Sequence, residues 1–411
     1  MATIVQKYGG TSVGDPERLK HVARRVVETV EAGNSVCAVV SAMGDTTDDL
    51  LALATQVSAQ PHPRELDVLL TSGERISMAL LSMAINDLGH EAASFTGSQA
   101  GIITDSVHGK ARIVEMRRGR VHEALEEGRI AIVAGFQGVS ANRDITTLGR
   151  GGSDTTAVAL AAALGADACE IYTDVDGVFT ADPRIAKGAR KLGVVSYEEM
   201  LELAAGGARV LALRSVEYAR NHGVKLHVRS SFKPDEGTWV IKEEDMLEQA
   251  IISGIAHDTS EARVTIHKVP DRPGVAARMF QPLAEAGINI GEIFQNTSTE
   301  SVADISFTLP ENELDRAAPI LKRLASDIGA ADYDFDRDIA KVTVVGAGMK
   351  SNPGVAAAIF DALADAGINI EMISTSSIRV SCVVPSIDVE RAVNVIHERL
   401  KLADDVMFDA A

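Results

Sequence analysis

Apolar positions in the first 230 residues follow two alternating patterns, one typical of helices and one of buried strands. After Asp15-Pro16, a favourable helix start, apolar residues recur at positions 19, 22, 23, 26, 27 and 30, which form one face of a helix. Residues 35–44 (SVCAVVSAMG) form an apolar run that ends in a turn, as expected of a strand buried on both faces. This alternation predicts an α/β domain whose largely parallel sheet is sandwiched by helices.

The same patterns give the expected elements of this domain. Further strands are predicted at 3–10, 92–96, 130–136, 168–175 and 224–230, and further helices at 64–88, 112–127, 153–164 and 197–222. The segment 233–250 is polar, with Pro, Gly and an acidic cluster, and it marks the end of the domain. We therefore place the α/β domain at residues 1–245.

An internal repeat follows this boundary. Residues 271–290 (DRPGVAARMFQPLAEAGINI) and 351–370 (SNPGVAAAIFDALADAGINI) are identical at 13 of 20 aligned positions. Strand patterns flank each copy, so we predict two α+β units of the type β-turn-α-β-β-α-β. A linker with the first unit is placed at 246–337 and the second unit at 338–411.

Composition narrows the possible functions. The chain has 411 residues with a net charge of −18, which disfavours nucleic-acid binding. Cys37, Cys169 and Cys382 lie far apart in apolar runs, and no histidine spacing suits a zinc site. No apolar run is expected to span a membrane, and the N-terminus lacks a signal peptide. A cytoplasmic protein that binds neither nucleic acid nor membrane is expected.

Two glycine-rich segments combine backbone amides with a basic residue. Lys7-Tyr8-Gly9-Gly10 lies at the C-terminal end of the first strand, where two glycines allow close approach of a phosphate. The segment 147–154 (TLGRGGSD) places Arg150 directly before an Ala-rich helix, and its free amides can bind an anion. For the first segment, the alternative is an ordinary strand–helix turn. For Asp154, the alternative is an acidic residue that caps the helix and suits its dipole.

Other polar residues at strand or helix ends leave their role open. Residues 173–184 (TDVDGVFTADPR) can bind a nucleotide or form a solvated turn. Glu74 near a helix start can cap that helix or bind a substrate ammonium. Ser41 and Thr47 lie near the end of the second strand, where hydroxyl groups can bind a ligand or cap a helix.

The motifs KYGGTS, SAMG, SGE, GFQG, TTLGRGGSDTTA and YTDVDGVFTADPR, in this order and followed by tandem repeats, closely resemble the aspartokinase family. The resemblance covers essentially the whole chain. It implies an amino-acid-kinase fold followed by two ACT domains, and transfer of the ATP γ-phosphoryl group to the side-chain carboxylate of L-aspartate. The product, 4-phospho-L-aspartate, leads to lysine (through diaminopimelate), threonine and methionine.

The resemblance also implies roles for individual residues. The catalytic residues would be Lys7, Arg150 and Asp154. The ATP-binding residues would be Lys7, Tyr8, Gly9, Gly10, Ser41, Thr173, Asp174, Phe179, Asp182, Arg184 and Arg209. The aspartate-binding residues would be Thr47, Glu74, Arg150, Gly151, Gly152 and Ser153. Mg²⁺ would accompany ATP, and the sequence names no protein ligand for it.

This chain departs from the family pattern at two positions. Phe179 stands where the family often has Tyr, and Arg209 where a Lys often follows Gly-Ala. Arg209 keeps the charge without the point-donor geometry of Lys. A kinase of glutamate, acetylglutamate or carbamate remains an alternative, as does an amino-acid sensor without turnover.

The repeats predict amino-acid effectors, and the family's effectors are lysine and threonine. In each copy a Pro-Gly turn opens a helix whose amides can bind a carboxylate. The expected effector residues are Asp271, Gly274, Val275, Ala276 and Gln295 in the first copy, and Asn352, Val355, Asn369, Ile370 and Ser376 in the second. A homo-oligomer is expected, or an assembly with a smaller regulatory chain that starts near Met246.

Overall fold

The computed structural model describes residues 1–246, 251–297, 301–352 and 354–404. These residues form two compact units. The first unit holds the described residues of 1–179, 191–205 and 209–246, and the second holds 180–190, 206–208 and those after 250. The domain boundaries at 245 and 337 stay predictions, and residues 247–250 of the expected linker lie outside the described part of the chain.

The first unit is built on an eight-stranded sheet in the order β10-β12-β11-β9-β1-β2-β6-β3. Every neighbouring pair is parallel except β11 and β12. This confirms the largely parallel sheet that the apolar runs predict. A smaller sheet has the order β5-β4-β7-β8. The strands of this unit are β1 Thr3–Tyr8, β2 Ser35–Val40, β3 Ala92–Phe95, β4 Ile102–Thr104, β5 Ile113–Met116, β6 Ile130–Ala134, β7 Gln137–Ser140, β8 Ile145–Thr147, β9 Ala168–Thr173, β10 Val194–Ser196, β11 Leu226–Ser230 and β12 Thr238–Ile241.

The helices of the first unit begin and end at recognisable signals. In α1, Asp15 accepts hydrogen bonds from the amides of Glu17 and Arg18, and the face from Leu19 to Val27 is buried. In α6, Gly165 ends the helix in the left-handed conformation, in which glycine has no steric penalty. The helices are α1 Pro16–Glu31, α2 Thr46–Val57, α3 Pro63–Leu70, α4 Ser72–Asp87, α5 Gly119–Glu126, α6 Gly152–Leu164, α7 Tyr197–Ala205 and α8 Leu213–His222.

Three predicted helices differ from the observed ones. The helix expected at 64–88 is divided at Thr71 into α3 and α4. The helix expected at 112–127 starts as strand β5, because residues 113–116 pair with β4. The helix expected at 197–222 is interrupted between α7 and α8, where Gly207 has a φ of +109°, which is incompatible with a continuous helix. Helix α2 has no counterpart in the prediction.

The stretch Pro63–Asp87 is long and apolar enough to cross a membrane when judged by length and composition alone. It holds Asp67 and Glu74, which are both buried within the first unit. Charged side chains at the centre of a bilayer are costly, whereas the core helices of soluble proteins regularly pass the same test. The stretch therefore fits a helix pair of the first unit.

The second unit contains two antiparallel four-stranded sheets, each covered by two helices, and these match the predicted repeats. The sheet of the first repeat has the order β15-β16-β14-β17. That of the second repeat has the order β13-β18-β20-β19. The elements are β13 Gly254–Asp258, β14 Glu261–Pro270, α9 Val275–Glu285, β15 Ile293–Thr297, β16 Val302–Pro310, α10 Leu314–Ile328, β17 Asp332–Asp336, β18 Ile339–Val345, α11 Gly354–Asp365, β19 Met372–Thr375, β20 Arg379–Pro385 and α12 Val389–Arg399.

The fourth strand of the second repeat comes from an unexpected segment. In the first repeat this position belongs to β17, which follows α10. In the second repeat it belongs to β13, which precedes the first repeat and pairs with β18 from Gly254 to Asp258. The last strand that the repeat pattern predicts, after α12, falls in residues 405–411, outside the described part. The sheet of the second repeat therefore uses segments on both sides of the first repeat.

The segment Thr180–Arg190 belongs to the second unit, although residues 173–179 belong to the first. Ala181 and Ala186 are buried in the same apolar core as Ile396 of α12. The hydroxyl group of Thr180 lies 3.1 Å from Nε2 of His397. The predicted nucleotide segment 173–184 is therefore divided between two packing environments.

Candidate active site

The carboxyl ends of the central strands meet at one edge of the large sheet. Tyr8 at the end of β1 pairs in register with Val40 of β2 and Tyr172 of β9, and Val40 pairs with Ala134 of β6. The KYGGTS and TDVDG motifs begin in the last residues of β1 and β9, and the SAMG and GFQG motifs begin directly after β2 and β6. Ligands of parallel α/β sheets bind at this edge.

Gly10 permits a close approach between the turns after β1 and β2. A Cβ atom at Gly10 would lie 2.9 Å from the carbonyl oxygen of Ala42 and 3.1 Å from that of Gly44. The amide of Gly44 donates to the carbonyl of Gly10 at 3.1 Å. Any side chain would separate the two turns, so the glycine is required by the geometry of the edge.

Lys7 and Asp154 form a partly buried ion pair beside this turn. Their Nζ and Oδ1 atoms lie 2.6 Å apart, and each side chain is 12% exposed. A Cβ atom at Gly9 would lie 3.4 Å from Lys7 Nζ, so the ammonium group is next to the glycine turn. The pair joins the end of β1 to the first turn of α6 and places a positive charge at the sheet edge.

The side chain of Tyr8 lies away from the glycine turn. Successive side chains of a strand point to opposite faces, so Tyr8 lies on the face opposite Lys7. Its side chain is fully buried, is stacked on Tyr172 with ring centroids 4.8 Å apart, and donates to Gln6. The phenol cannot reach a nucleotide at the edge, and only the backbone of Tyr8 is available.

Two glycines shape the turn that carries Arg150. Gly149 and Gly151 have φ values of +79° and +72°, which favour glycine. A Cβ atom at Gly151 would lie 2.3 Å from Cβ of Ala212. Ser153 and Asp154 are buried in the first turn of α6, whereas Arg150 is exposed and forms no ion pair with the residues that the structure describes. This arrangement leaves the guanidinium group available to a carboxylate.

Glu74 is a buried carboxylate at the start of α4. It is 3% exposed, and its Oε1 accepts a 3.2 Å hydrogen bond from the amide of Ala42. Its Oε2 has no hydrogen-bond partner among the described residues. Burial raises the pKa of Glu74 to about 7, despite the opposing hydrogen bonds from backbone amides. An incoming ammonium group would satisfy the second oxygen and favour the ionised form.

Comparison with known proteins identifies the family. Residues 2–230 match the amino acid kinase family, and residues 262–329 and 342–400 each match an ACT domain. The aspartokinase of Mycolicibacterium smegmatis is 57% identical over 411 residues, which cover 98% of this chain and 97% of that protein. The chain belongs to the aspartokinase family. The aspartokinase of Corynebacterium glutamicum is 55% identical over 410 residues, covering 98% of this chain and 97% of that protein.

Solved structures of the family share the fold of this chain. Escherichia coli aspartokinase III in complex with aspartate and ADP (R-state) has a TM-score of 0.83 at 25% identity, covering 97% of this chain and all of that chain. The same protein in complex with lysine and aspartate (T-state) has a TM-score of 0.73 at 25% identity, over 97% of this chain and 99% of that chain. The predicted fold, an amino-acid kinase followed by two ACT domains, is therefore confirmed.

The remaining nucleotide residues lie in different surroundings. Thr173 donates to the exposed Asp174 at the end of β9, and Phe179 is half-buried and bridged to Lys191. In the second unit, Asp182 accepts from the backbone and guanidinium of Arg184, and this lowers the pKa of the carboxyl group. The remaining residue, Arg209, is exposed in the first unit. Ser41 and Thr47 are both half-buried, after β2 and in the first turn of α2.

The predicted effector residues of the first ACT domain line one cavity. This cavity has a volume of about 380 Å³ and opens between the turn before α9 and strands β15 and β16. Its lining includes all five residues that the sequence singles out, namely Asp271, Gly274, Val275, Ala276 and Gln295. Gly274 has a φ of +88°, which glycine adopts without strain.

The corresponding residues of the second ACT domain differ in exposure. Asn352 donates to the carbonyl of Gly348, and Val355 is buried in the apolar core. Asn369 and Ser376 are exposed. Ile370, the fifth predicted residue, is partly buried against that core. The side chain of Val355 thus has a packing role, as does that of Val275 in the first copy.

Several polar contacts beside the site were not predicted from the sequence. Asp67 on α3 accepts a hydrogen bond from Thr147, which directly precedes the Arg150 turn. Arg214 donates to the carbonyl of Leu148, and Gln137 donates to that of Thr71. Residues such as Asp67 in an amphipathic helix and Arg214 at a helix start are common on protein surfaces. Only their contacts in the folded protein distinguish them.

Proposed function

We propose that the edge carrying Lys7, Glu74 and Arg150 transfers the γ-phosphoryl group of ATP to the side-chain carboxylate of L-aspartate, giving 4-phospho-L-aspartate and ADP. The observation that carries this proposal is Glu74, a buried carboxylate with one oxygen unpaired among the described residues. A free amino acid supplies both an ammonium for this carboxylate and a carboxylate for Arg150. The relative from Escherichia coli was solved with aspartate and ADP, which supports the choice of substrates.

The transfer step needs positioning and charge compensation more than proton removal. An aspartate side chain is ionised at neutral pH, so one of its oxygens can attack the γ-phosphorus without a general base. The bond from the γ-phosphorus to the bridging oxygen breaks, and ADP leaves with those electrons. The main obstacle is repulsion between the carboxylate and the polyphosphate, and Lys7 offsets it with a nearby positive charge.

Asp154 holds Lys7 for this task. The 2.6 Å ion pair restricts an otherwise flexible ammonium group to one place beside the glycine turn. The amide of Gly10 and the hydroxyl group of Ser41 lie at the same edge as candidate phosphate donors, whereas the amide of Gly9 donates to the carbonyl of Tyr172 at 3.4 Å. Thr173, Asp174 and Phe179 are proposed to hold the nucleoside, and for Asp182, Arg184 and Arg209 the ATP contact stays a prediction from the resemblance.

The aspartate substrate is proposed to bind between the start of α4 and the Arg150 turn. Glu74 pairs with the α-ammonium group, and the exposed Arg150 can hold a carboxylate through two parallel hydrogen bonds. Thr47, Ser153, the amide of Gly151 and Gly152 complete the proposed contacts, although the amide of Gly152 already donates to the carbonyl of Gly149 at 2.9 Å. Since Glu74 is held in the core by Ala42, the substrate meets a preorganised carboxylate.

Magnesium is proposed to arrive with ATP. The described residues hold no group of three or more His, Cys, Asp or Glu side chains that could bind a metal ion. Mg²⁺ commonly keeps several waters and binds substrate phosphates rather than a dedicated protein cage. When bound, it would neutralise charge on the phosphate oxygens.

An acyl-phosphate trap tests the proposed reaction directly. With ATP and L-aspartate, the full chain is expected to form ADP and an acyl phosphate that hydroxylamine converts into aspartyl hydroxamate. Parallel assays with glutamate, acetylglutamate and carbamate test the alternative that the chain is a kinase of one of these substrates. ADP formation with one of these substrates but not with aspartate would replace the proposal, and binding without turnover would indicate a sensor.

The ACT domains are proposed to provide feedback control by lysine and threonine, together more strongly than by either alone. The cavity of the first ACT domain joins the helix-start amides of α9 to the exposed carboxylate of Asp271. Such a pair of groups suits an amino acid with a cationic side chain, and a lysine-bound form is known for the Escherichia coli relative. Inhibition requires that the effector bind an inactive arrangement more tightly than the active one.

Replacing Asp271 with alanine is expected to raise the lysine concentration for half-inhibition about tenfold, because one charged contact is lost. The activity without effector is expected to stay within about twofold of that of the unmodified chain, since Asp271 lies in the effector cavity. The control is Asp315→Ala, which removes an exposed carboxylate from the first turn of α10. Equal inhibition of both variants by lysine would contradict the effector role.

Assembly and location are also proposed. Paired ACT domains suit a symmetric oligomer, and a second, shorter chain that starts near Met246 is the alternative. A mass measurement of the complex purified from its native cell would show one chain or two. The metabolic role of the aspartokinase relatives supports a cytoplasmic location.

A further inference from the structure

The two proposed contacts for aspartate come from segments far apart in the chain. Glu74 lies at the start of α4, and Arg150 follows β8. The distance between them must match the length of one amino acid, so a fixed separation is part of substrate recognition. We propose that Asp67 is the positioning residue that sets this separation, an inference that rests on the proposed roles of Glu74 and Arg150.

Asp67 is a buried carboxylate whose oxygens are both engaged. It is 1% exposed. Oδ1 accepts from the hydroxyl group of Thr147 at 2.6 Å and from the amide of Gly109 at 3.1 Å. Oδ2 lies 2.7 Å from Nδ1 of His108 and accepts from the same amide at 3.2 Å. With both oxygens bound to protein donors, Asp67 acts on the substrate only through the segments that it holds.

One of these segments is the helix pair that carries Glu74. The amide of Thr71 donates to the carbonyl of Asp67 at 3.1 Å, and α4 begins at the next residue. Gln137 of β7 donates to the carbonyl of Thr71 at 3.2 Å, so the connection between α3 and α4 is also bonded to β7. A displacement of α3 would therefore be passed to the first turn of α4 and to Glu74.

The other segment is the turn that carries Arg150. Thr147 is three residues before Arg150, and its carbonyl accepts from the amide of Ala111 at 2.8 Å. Arg214 donates to the carbonyls of Leu148 at 3.0 Å and Ala111 at 2.9 Å. The turn is thus anchored by Arg214 on one side and by Asp67 on the other.

The experiment compares two neighbouring threonines of β8. Thr147→Val removes the hydroxyl group that donates to Asp67, whereas Thr146→Val removes a buried hydroxyl group that lies 2.6 Å from that of Thr104. Both variants lose a buried hydrogen bond of the same length, so both are expected to lower the melting temperature similarly. Thr147→Ser keeps the hydroxyl group and is the conservative variant.

Initial rates of the full chain, with aspartate and ATP varied separately and no effector present, give the readout. Thr147→Val is expected to raise the KM for aspartate about tenfold and to change the KM for ATP less than about twofold. Thr146→Val and Thr147→Ser are expected to keep the aspartate KM within about twofold of the original value. Asp67→Asn is expected to behave like Thr147→Val if it folds, since an amide cannot accept from all the present donors.

Two results would overturn the positioning role. One is an aspartate KM in Thr147→Val no higher than in Thr146→Val, because the hydrogen bond would then serve stability alone. The other is an equal rise of both Michaelis constants in Thr147→Val. Absence of aspartate-dependent turnover in the unmodified chain is a separate outcome, because it would contradict the proposed function instead.

Discussion

Replacing Lys7 with alanine is expected to lower kcat about a thousandfold, the largest effect of any single change proposed for this chain. The substitution removes the positive charge beside the glycine turn and leaves the partly buried carboxylate of Asp154 without its partner. That carboxylate would then add to the repulsion between polyphosphate and substrate. Steady-state kinetics at saturating ATP and aspartate would measure the loss.

The matched control for Lys7 is a second lysine of the same chain that forms a close ion pair with little exposure. Lys341 and Glu261 lie 2.6 Å apart with side chains 9% and 16% exposed, which resembles the pair of Lys7 and Asp154. Lys341→Ala is expected to cost similar stability but to leave kcat without effector within about threefold. If Lys7→Ala kept near-normal turnover, or if both variants lost activity equally, the catalytic assignment of Lys7 would fail.

Replacing Glu74 with glutamine is expected to raise the KM for aspartate about a hundredfold, while the KM for ATP changes little. The variant keeps the shape of the side chain but loses the charge that is proposed to pair with the ammonium group. A defect confined to ATP would show that the roles are reversed. Glu199→Gln is the control, because Glu199 is similarly buried but accepts hydrogen bonds from Ser196, the last residue of β10.

The raised pKa of Glu74 adds a dependence on pH. The pKa of Glu74 is about 7 without substrate. At a lower pH its carboxyl group is protonated and cannot attract the ammonium group. The kcat/KM for aspartate is therefore expected to fall as the pH decreases through about 7, by up to about tenfold per pH unit. This acidic limb should be absent from Glu74→Gln, and its persistence there would assign the limb to another group.

The same pKa predicts an effect on stability. Because the folded pKa lies above the usual 4.5, the folded state prefers the protonated form. Protonated Glu74 therefore contributes to the stability of the folded state at low pH, and this contribution is lost as the pH rises through about 7. The interval from 4.5 to about 7 corresponds to roughly 3 kcal/mol. Glu74→Gln is therefore expected to unfold at a higher temperature than the original chain at about pH 8.5, but with little gain at about pH 4.5.

The sequence alone determined the class of fold and which motifs meet at one edge of the sheet. Apolar runs such as SVCAVV require a sheet covered on both faces, and the parallel arrangement brings the ends of β1, β2, β6 and β9 to one edge. The motifs at those ends were therefore predictable neighbours. The repeat at 271–290 and 351–370 likewise predicted two similar units, because equal patterns of apolar residues bury equal faces.

The burial of the site's side chains was known only from the tertiary structure. The direction of one of them could also have been predicted from strand geometry. The pleat of β1 already places Tyr8 on the face opposite Lys7, so its ATP contact could have been limited to the backbone. The raised pKa of Glu74 and the bonds of Asp67 depend on neighbours far away in the chain. No local pattern encodes these neighbours.

Tertiary packing also decided which segments share a core. Strand β13 is a short segment of five residues, yet it completes the sheet of the second repeat by pairing with β18, more than 80 residues later. The segment Thr180–Arg190 continues the nucleotide motif but packs with α12. Local sequence fixes whether a segment becomes a strand or a turn. Its partner is selected by the apolar surface that the whole fold leaves to be covered, and that surface exists only after distant segments meet.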